Sequence, residues 1–207
     1  MKRLVCIVEG HGDVRAVPVL CNRILRSLLD VSDWYVDEDP VRFPRSHLVD
    51  ESKPAPKRPV NVAQLGRALS MAAIREPGGI LVCCDADDDC PAAWSASAPA
   101  EHRWGGVTTR VRCVMACREY ESWLLCGFPH SDRQRARALQ PDRAPRDAKR
   151  ALAKLVPKYT PSTDQARLTR ELDLRRAWAR SDSLDKLVRC VAALVECSAP
   201  ERPDADS

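Results

Sequence analysis

The chain has no long apolar run. No stretch approaches the roughly 20 consecutive apolar residues that a bilayer-spanning helix needs, so no membrane is expected as a partner. The apolar run behind Met1-Lys2-Arg3 ends at Glu9. That is too short for a secretory leader, and no cleavage pattern follows it; the expectation is a cytoplasmic protein. None of the ten cysteines forms a CxxC pair, which removes the usual zinc framework. Most lie within apolar stretches such as Val5-Cys6-Ile7 and Val82-Cys83-Cys84 and read as small buried residues of a reducing compartment. There is no GxxxxGKS/T loop, so the acidic stretch at 85–89 has no partner as a Walker B element. An EF-hand loop starting at Asp85 would need Gly where Cys90 stands and Glu where Ala96 stands, and it fails. No internal repeat is present.

What remains is a chain of 207 residues, 44% hydrophobic and 30% charged. Such a chain can build one globular core, or a domain with an appendage. Its organising stretch is Gly78-Gly79-Ile80-Leu81-Val82-Cys83-Cys84-Asp85-Ala86-Asp87-Asp88-Asp89-Cys90-Pro91. Ile80 to Cys84 has the length and texture of a strand buried on both faces. Unpaired carboxylates inside such a strand would cost several kcal/mol each, so the acids belong where the strand leaves the sheet. Open α/β sheets place ligands at that edge. Extended backbone alternates, so Asp85 and Asp87 are expected on one side, two hard oxygen ligands suited to Mg²⁺ or Mn²⁺. The plain rival is a solvated turn. A glycosyltransferase-type DxD is a further enzymatic rival, which normally needs a longer chain.

Arg3 to Val8 reads as another buried strand, followed by the turn Glu9-Gly10-His11-Gly12. Asp13 can cap the next helix or act as a ligand; the helix carries Val14, Val17, Leu20, Cys21, Ile24, Leu25 and Leu28 on one face. A strand is expected near Val41-Arg42-Phe43, a loop over 50–59, and a helix over 60–74 capped by Asn61. The segment 91–106 suggests a short irregular helix, and Val107 to Ala116 a strand. Cys117 to Leu125 looks helical at its end, with Trp123 and Leu124 inward. Farther on, 147–156 and 164–179 read as helices, and Ser183 or Asp182 caps a last helix through Leu194.

This order predicts an α/β fold with a mostly parallel sheet and helices on both faces. The division expected is an α/β domain over 1–128, a C-terminal helical extension packed on it over 129–198, and a disordered tail over 199–207.

If those strands are neighbours, Glu9, Asp85, Asp87 and Glu119 share one rim. Gathered carboxylates repel, so a folded cluster implies a cation or raised pKa values. Metal candidates are Glu9, Asp85, Asp87, Asp89 and Glu119, with Glu9, Asp85 and Asp87 as the catalytic set. Glu119 is preferred to Glu121, because on one helix the two would diverge by about 200°. Gly10 and Gly12 would let a phosphate approach the backbone; Arg118 and Lys158 are candidate phosphate contacts. His47, His102 and His130 lack metal-ligand spacing and read as structural or surface residues. His11 either touches phosphate or is an exposed turn residue. Ser181 and Ser183 read as caps rather than nucleophiles, and Trp123 as core. The net charge of +4 says little, but 131–180 carries fourteen Lys/Arg against six Asp/Glu. Either this suits a polyanion, DNA or RNA, or it is an Arg-rich solvated face.

The residues also carry a resemblance. Val8-Glu9-Gly10 after a first strand, with Asp85-x-Asp87 after a later one, resembles the TOPRIM domain of topoisomerases, primases and nucleases of the overcoming-lysogenization-defect type. The fuller pattern is similar to a TOPRIM-related bacterial domain family of unknown function, often encoded beside ATPases in mobile or defence loci. It adds Asp85 to Pro91, Arg118-Glu119-Tyr120-Glu121-Ser122-Trp123-Leu124, and the segment from Asp164-Gln165 to Arg180-Ser181-Asp182-Ser183. The likeness spans most of 3–195. It implies a TOPRIM-like (Rossmann-like) fold with a metal at Glu9, Asp85 and Asp87, and Glu9 as a ligand or general acid/base. It also implies a nuclease effector of a defence or mobile-element system with an ATPase partner, or a non-catalytic subunit docked on that ATPase. Asp13 stands where TOPRIM chains often carry a further acid, and the segment after Pro91 is short for a full crossover helix. Oligomeric state is left open.

Overall fold

The computed structural model describes residues 1–128 and 147–204. His130, the start of the expected extension and part of the basic segment lie outside them. The strands are β1 (Lys2–Val8), β2 (Trp34–Val36), β3 (Val41–Arg42), β4 (Gly79–Asp85), β5 (Glu101–Trp104) and β6 (Val107–Ala116). The helices of the first part are α1 (Asp13–Arg23), continued by a π-helical turn Ile24–Leu28, α2 (Arg45–Leu48), α3 (Val62–Ala73), α4 (Pro91–Ser97) and α5 (Glu121–Cys126). Behind residue 147 come α6 (Ala148–Leu155), α7 (Pro161–Glu171), α8 (Leu174–Arg180) and α9 (Asp182–Leu194).

The chain is α/β, with a mixed, mostly parallel sheet. Its order is β2-β1-β4-β6-β5, and β3 also pairs with β1. Every pair is parallel except β5 with β6. The strand expected near 41–43 is half of an interrupted edge: β2 pairs with the start of β1 and β3 with its end. Asp37-Glu38-Asp39-Pro40 separates them, and Pro40 has no N–H to extend the ladder.

Alternation along the central strands divides the core. Leu4, Cys6, Val8, Leu81, Cys83, Val114 and Ala116 face one layer with α1, α5, α8 and α9. Val5, Ile7, Ile80, Val82, Cys84, Val111, Cys113 and Met115 face another, with α3 and Trp94. Helices therefore cover both faces, which is why β1 and β4 read as continuous apolar runs. All ten cysteines are free and seven are buried.

Several local expectations need correction. Asp13 does not cap α1. It is the first helical residue, behind Gly12, and its carboxylate accepts from the Gly10 N–H at 2.9 Å. The segment after α4 holds β5, which makes an antiparallel hairpin with β6. Gly105 and Gly106, at φ 54° and 83°, form the turn and supply the two left-handed positions a tight hairpin needs. The helix expected over 164–179 is two helices. Carbonyls of Thr169 and Leu172 accept from Arg23 Nη1, each at 2.7 Å, which satisfies a helix end. Asp173 then caps α8 by accepting from Arg176 N–H at 3.0 Å. Ser181, not Ser183 or Asp182, caps α9 through the Leu184 N–H at 3.1 Å. Asn61 caps α3 as expected, accepting from Gln64 N–H at 3.3 Å.

Candidate functional site

Strands β1, β4 and β6 are adjacent and parallel, with Val8 opposite Cys83 and Asp85 opposite Ala116. Their carboxyl ends therefore share one rim, and the chain leaves that rim at Glu9, Asp85 and Cys117. The connection from β1 runs to β2 on one side, while β4 lies on its other side. The β1–β4 boundary is thus a topological switch point, the crevice where open sheets bind ligands. A cavity of about 400 Å³ opens there, lined by Gly10, Gly12, Asp13, Asp85, Asp87, Glu119, Glu121, Lys149 and Gln165, among others.

Glu9 and Asp85 meet directly. Glu9 Oε2 accepts from the Asp85 backbone N–H at 3.4 Å and lies 3.7 Å from Arg45 Nη1. Burial pushes the Glu9 carboxyl up to about 7; Arg45 and the Asp85 N–H oppose the shift, and Asp13 and Asp87 add to it. Asp85 Oδ1 accepts from the Tyr120 N–H at 2.8 Å. Burial, then the like charges of Asp13, Glu121 and Glu9, push Asp85 well above the usual carboxylate range. Asp13 is 6% exposed and raised by burial, although the Gly10 N–H and the Gln165 amide favour its charged form. Glu121 is also buried and raised for that reason; it accepts from Tyr159 O–H at 2.8 Å.

The other anticipated residues fall in three places. Asp87 lines the cavity with Asp85, but not through strand alternation. Its φ is 51°, a turn beyond β4 tied by Asp87 N–H to the Arg118 carbonyl at 2.9 Å. Glu119 also lines the cavity, and its carboxylate accepts from Lys149 N–H at 2.8 Å. Since α5 begins at Glu121, Glu119 is outside the helix, the angular argument between the two does not apply, and both acids line the cavity. Gly10, His11 and Gly12 line it as well.

Asp89 is turned elsewhere. Its side chain is fully buried on Arg45, with Arg58 3.7 Å away. Arg118 Nη1 donates to the Asp87 carbonyl at 3.0 Å and to Asp88 Oδ1 at 3.3 Å, closing the acidic turn. Lys158 is exposed, at φ 59°, in the connection between α6 and α7, and is not among the cavity residues. Trp123 is fully buried, with its Nε1–H on Ser183 Oγ at 2.8 Å; Ser183 also accepts from Cys117 N–H at 3.1 Å.

The sequence-based set lacked Asp13, Glu121, Lys149, Gln165 and Arg45. Asp13 and Gln165 lie in or beside segments that carry the family resemblance. Arg45 has no sequence signal: Glu9 is 36 residues away, and Asp87 and Asp89 of the acidic turn are 42 and 44 away, so these partners are gathered only by folding.

Most of the donors are suited to a hard cation: carboxylates and an amide oxygen, with one imidazole, His11, and no thiolate among the cavity residues. As the side chains stand, no group of three or more His, Cys, Asp or Glu among the described residues is arranged to hold a metal ion. Nor does any helix among them have the length and apolarity to cross a membrane. No family model, curated protein or solved structure matches the chain.

Proposed function

We propose that this chain is a TOPRIM-like phosphodiester hydrolase that uses Mg²⁺ or Mn²⁺ to cleave nucleic acid. The observation that carries the reading is the contact between Glu9 and Asp85 across adjacent parallel strands at the switch point: Glu9 is not a lining residue, but Asp85 faces a cavity whose other acids raise its pKa. Buried like charges of this kind are relieved by a cation. Asp85, Asp87 and Glu9 would hold the ion, with Glu119 beside them. A divalent ion supplies an activated water and neutralises charge on a leaving oxygen. Glu9, titrating near neutrality, is poised to take or return a proton. The Tyr120 N–H fixes the Asp85 carboxylate. Gly10 and Gly12 do not hold the loop open to a phosphate as expected, because Asp13 takes the Gly10 N–H and Gln165 Oε1 covers Gly12; Lys149 brings a cation to the cavity mouth. Arg15 and Arg170 are exposed along α1 and α7 in a second cleft of about 710 Å³, where they can follow a phosphate backbone.

Purified full-length chain, alone or with its ATPase partner, is expected to cut DNA or RNA only with Mg²⁺ or Mn²⁺, and Asp85→Asn to abolish cutting while the fold persists. Absence of cleavage with either metal on both polymers, with and without the ATPase, removes the proposal. A second reading has one observation in its favour: Arg45 lies within 4 Å of Glu9, Glu51, Asp87 and Asp89, as a structural tie would. In that reading the chain is a non-catalytic subunit docked on the ATPase, and Asp85→Asn binds the ATPase as well as wild type does.

A further inference from the structure

Among the described residues, the amide of Gln165 is the one cavity side chain with a buried atom left without a hydrogen-bond partner. Gln165 sits on α7, in the C-terminal half of the chain, and is 3% exposed. Its amide lies beside the Asp13 carboxylate and favours the charged form of that acid, and its Oε1 rests against Gly12. The approach is close enough that a Cβ at position 12 would fall 2.0 Å from Oε1. There Oε1 is buried with no hydrogen-bond partner among the described residues. Buried acceptors in native folds are rarely left unpaired, and exceptions mark a bound water, an ion or a function.

The surroundings narrow the choice. A phosphate offers only acceptor oxygens, so it cannot satisfy a carbonyl. Three carboxylates line the same cavity: Asp13 and Glu121, which are buried, and Asp85, which is half-buried. Each has lone pairs left over after its protein bonds. A neutral oxygen in need of an electropositive partner beside clustered carboxylates is the donor set of a hard divalent ion.

We propose that Asp13, Asp85 and Oε1 of Gln165 form a divalent-cation ligand set, so that α7 supplies a ligand from the far half of the chain. The proposal deepens the metal-dependent reading and rests on it for the identity of the ion, but not for any cleavage. It explains why Gly12 carries no side chain: even a methyl group would displace the oxygen. It also gives the C-terminal helices a part in the site besides covering the sheet.

The test is calorimetric titration of Mn²⁺ into the full-length chain near neutral pH, with the melting temperature of the metal-free protein recorded for each variant. Gln165→Met removes the oxygen and keeps the bulk; Gln165→Glu keeps an oxygen there and adds charge. The expected result is Mn²⁺ binding weakened roughly ten-fold or more in Gln165→Met, the scale on which groups around a metal site count. In Gln165→Glu the affinity is expected to equal or exceed that of wild type, even though added repulsion with Asp13 lowers its metal-free melting temperature. Equal Mn²⁺ affinity in wild type and Gln165→Met overturns the proposal and marks Gln165 as a packing strut, leaving the nuclease reading standing. Wild type that binds Mn²⁺ through Gln165 yet cuts no nucleic acid upholds this ligand set while the hydrolase reading fails. Wild type that binds no Mn²⁺ ends both.

Discussion

Glu9 governs how the rim responds to pH. Its carboxyl rises from 4.5 to about 7 on folding, chiefly through burial. Between those values the folded chain keeps a proton that the unfolded chain releases, so stability falls as pH rises through the window and levels off above it. The span corresponds to about 3 kcal/mol at most. Glu9→Gln should flatten much of the decline between pH 5 and pH 8, measured as urea midpoints in metal-free buffer. A residual slope of the same sign is expected from Asp13, Asp85 and Glu121, which are raised as well. At Asp85 function and stability should oppose each other. Asp85→Asn keeps an acceptor for the Tyr120 N–H and removes one of the packed like charges. Its metal-free melting temperature at pH 8 is expected above that of wild type, while Mn²⁺-dependent cleavage is lost; a lower melting temperature would show that the carboxylate is not under electrostatic strain.

Elements depend on a few polar joints. Asn61 holds the first turn of α3, the helix packed on the β1–β4 face that includes Val5 and Ile7. Asn61→Ala should cost about 1 kcal/mol in chemical denaturation. Ser183 joins three pieces: it stands in the first turn of α9 and accepts from Trp123 Nε1–H on α5 and from Cys117 N–H just past β6. Ser183→Ala leaves the buried Trp123 Nε1–H and the half-buried Cys117 N–H without that acceptor and should cost about 1–3 kcal/mol, with Trp123 fluorescence changing in the native state. These elements differ in how far they can be read from residue order. The strands β1 and β4 announce themselves by unbroken apolar runs, and β6 by alternation. β5 does not, because Glu101-His102-Arg103-Trp104 is an exposed edge with no apolar face; only the Gly105-Gly106 pair hinted at a hairpin. The break between α7 and α8 was hidden for a different reason. It is made by Arg23, a side chain 146 residues away from the Thr169 carbonyl it binds.

Over the whole molecule, one layer of the core is completed from the far end of the chain. Leu184, Leu187, Val188, Val191 and Leu194 of α9 belong to the same apolar cluster as Leu4, Cys6, Leu81 and Val114. A chain ending at residue 128 would expose that sheet face. It is expected to lack a cooperative melting transition and to bind a hydrophobic dye such as ANS, whereas the full chain melts cooperatively. A cooperative transition in the short chain would show that the first part folds without the later helices.

Residue order alone determined that three buried strands end in carboxylates, and that strands so apolar must be covered on both faces. This is local chemistry: five or more apolar residues cannot face water, and charged ones cannot follow them inside. Tertiary structure decided which acids meet. Asp89 carries the same side chain as Asp85 and Asp87, four and two residues on, yet it turns onto Arg45, because the left-handed residue at 87 bends the chain away from the strand axis. Asp13 and Gln165 are 152 residues apart and touch only because α1 and α7 pack side by side. A carboxylate's position along the chain follows from sequence; its neighbours depend on distances that close only when the sheet and both helical layers are in place.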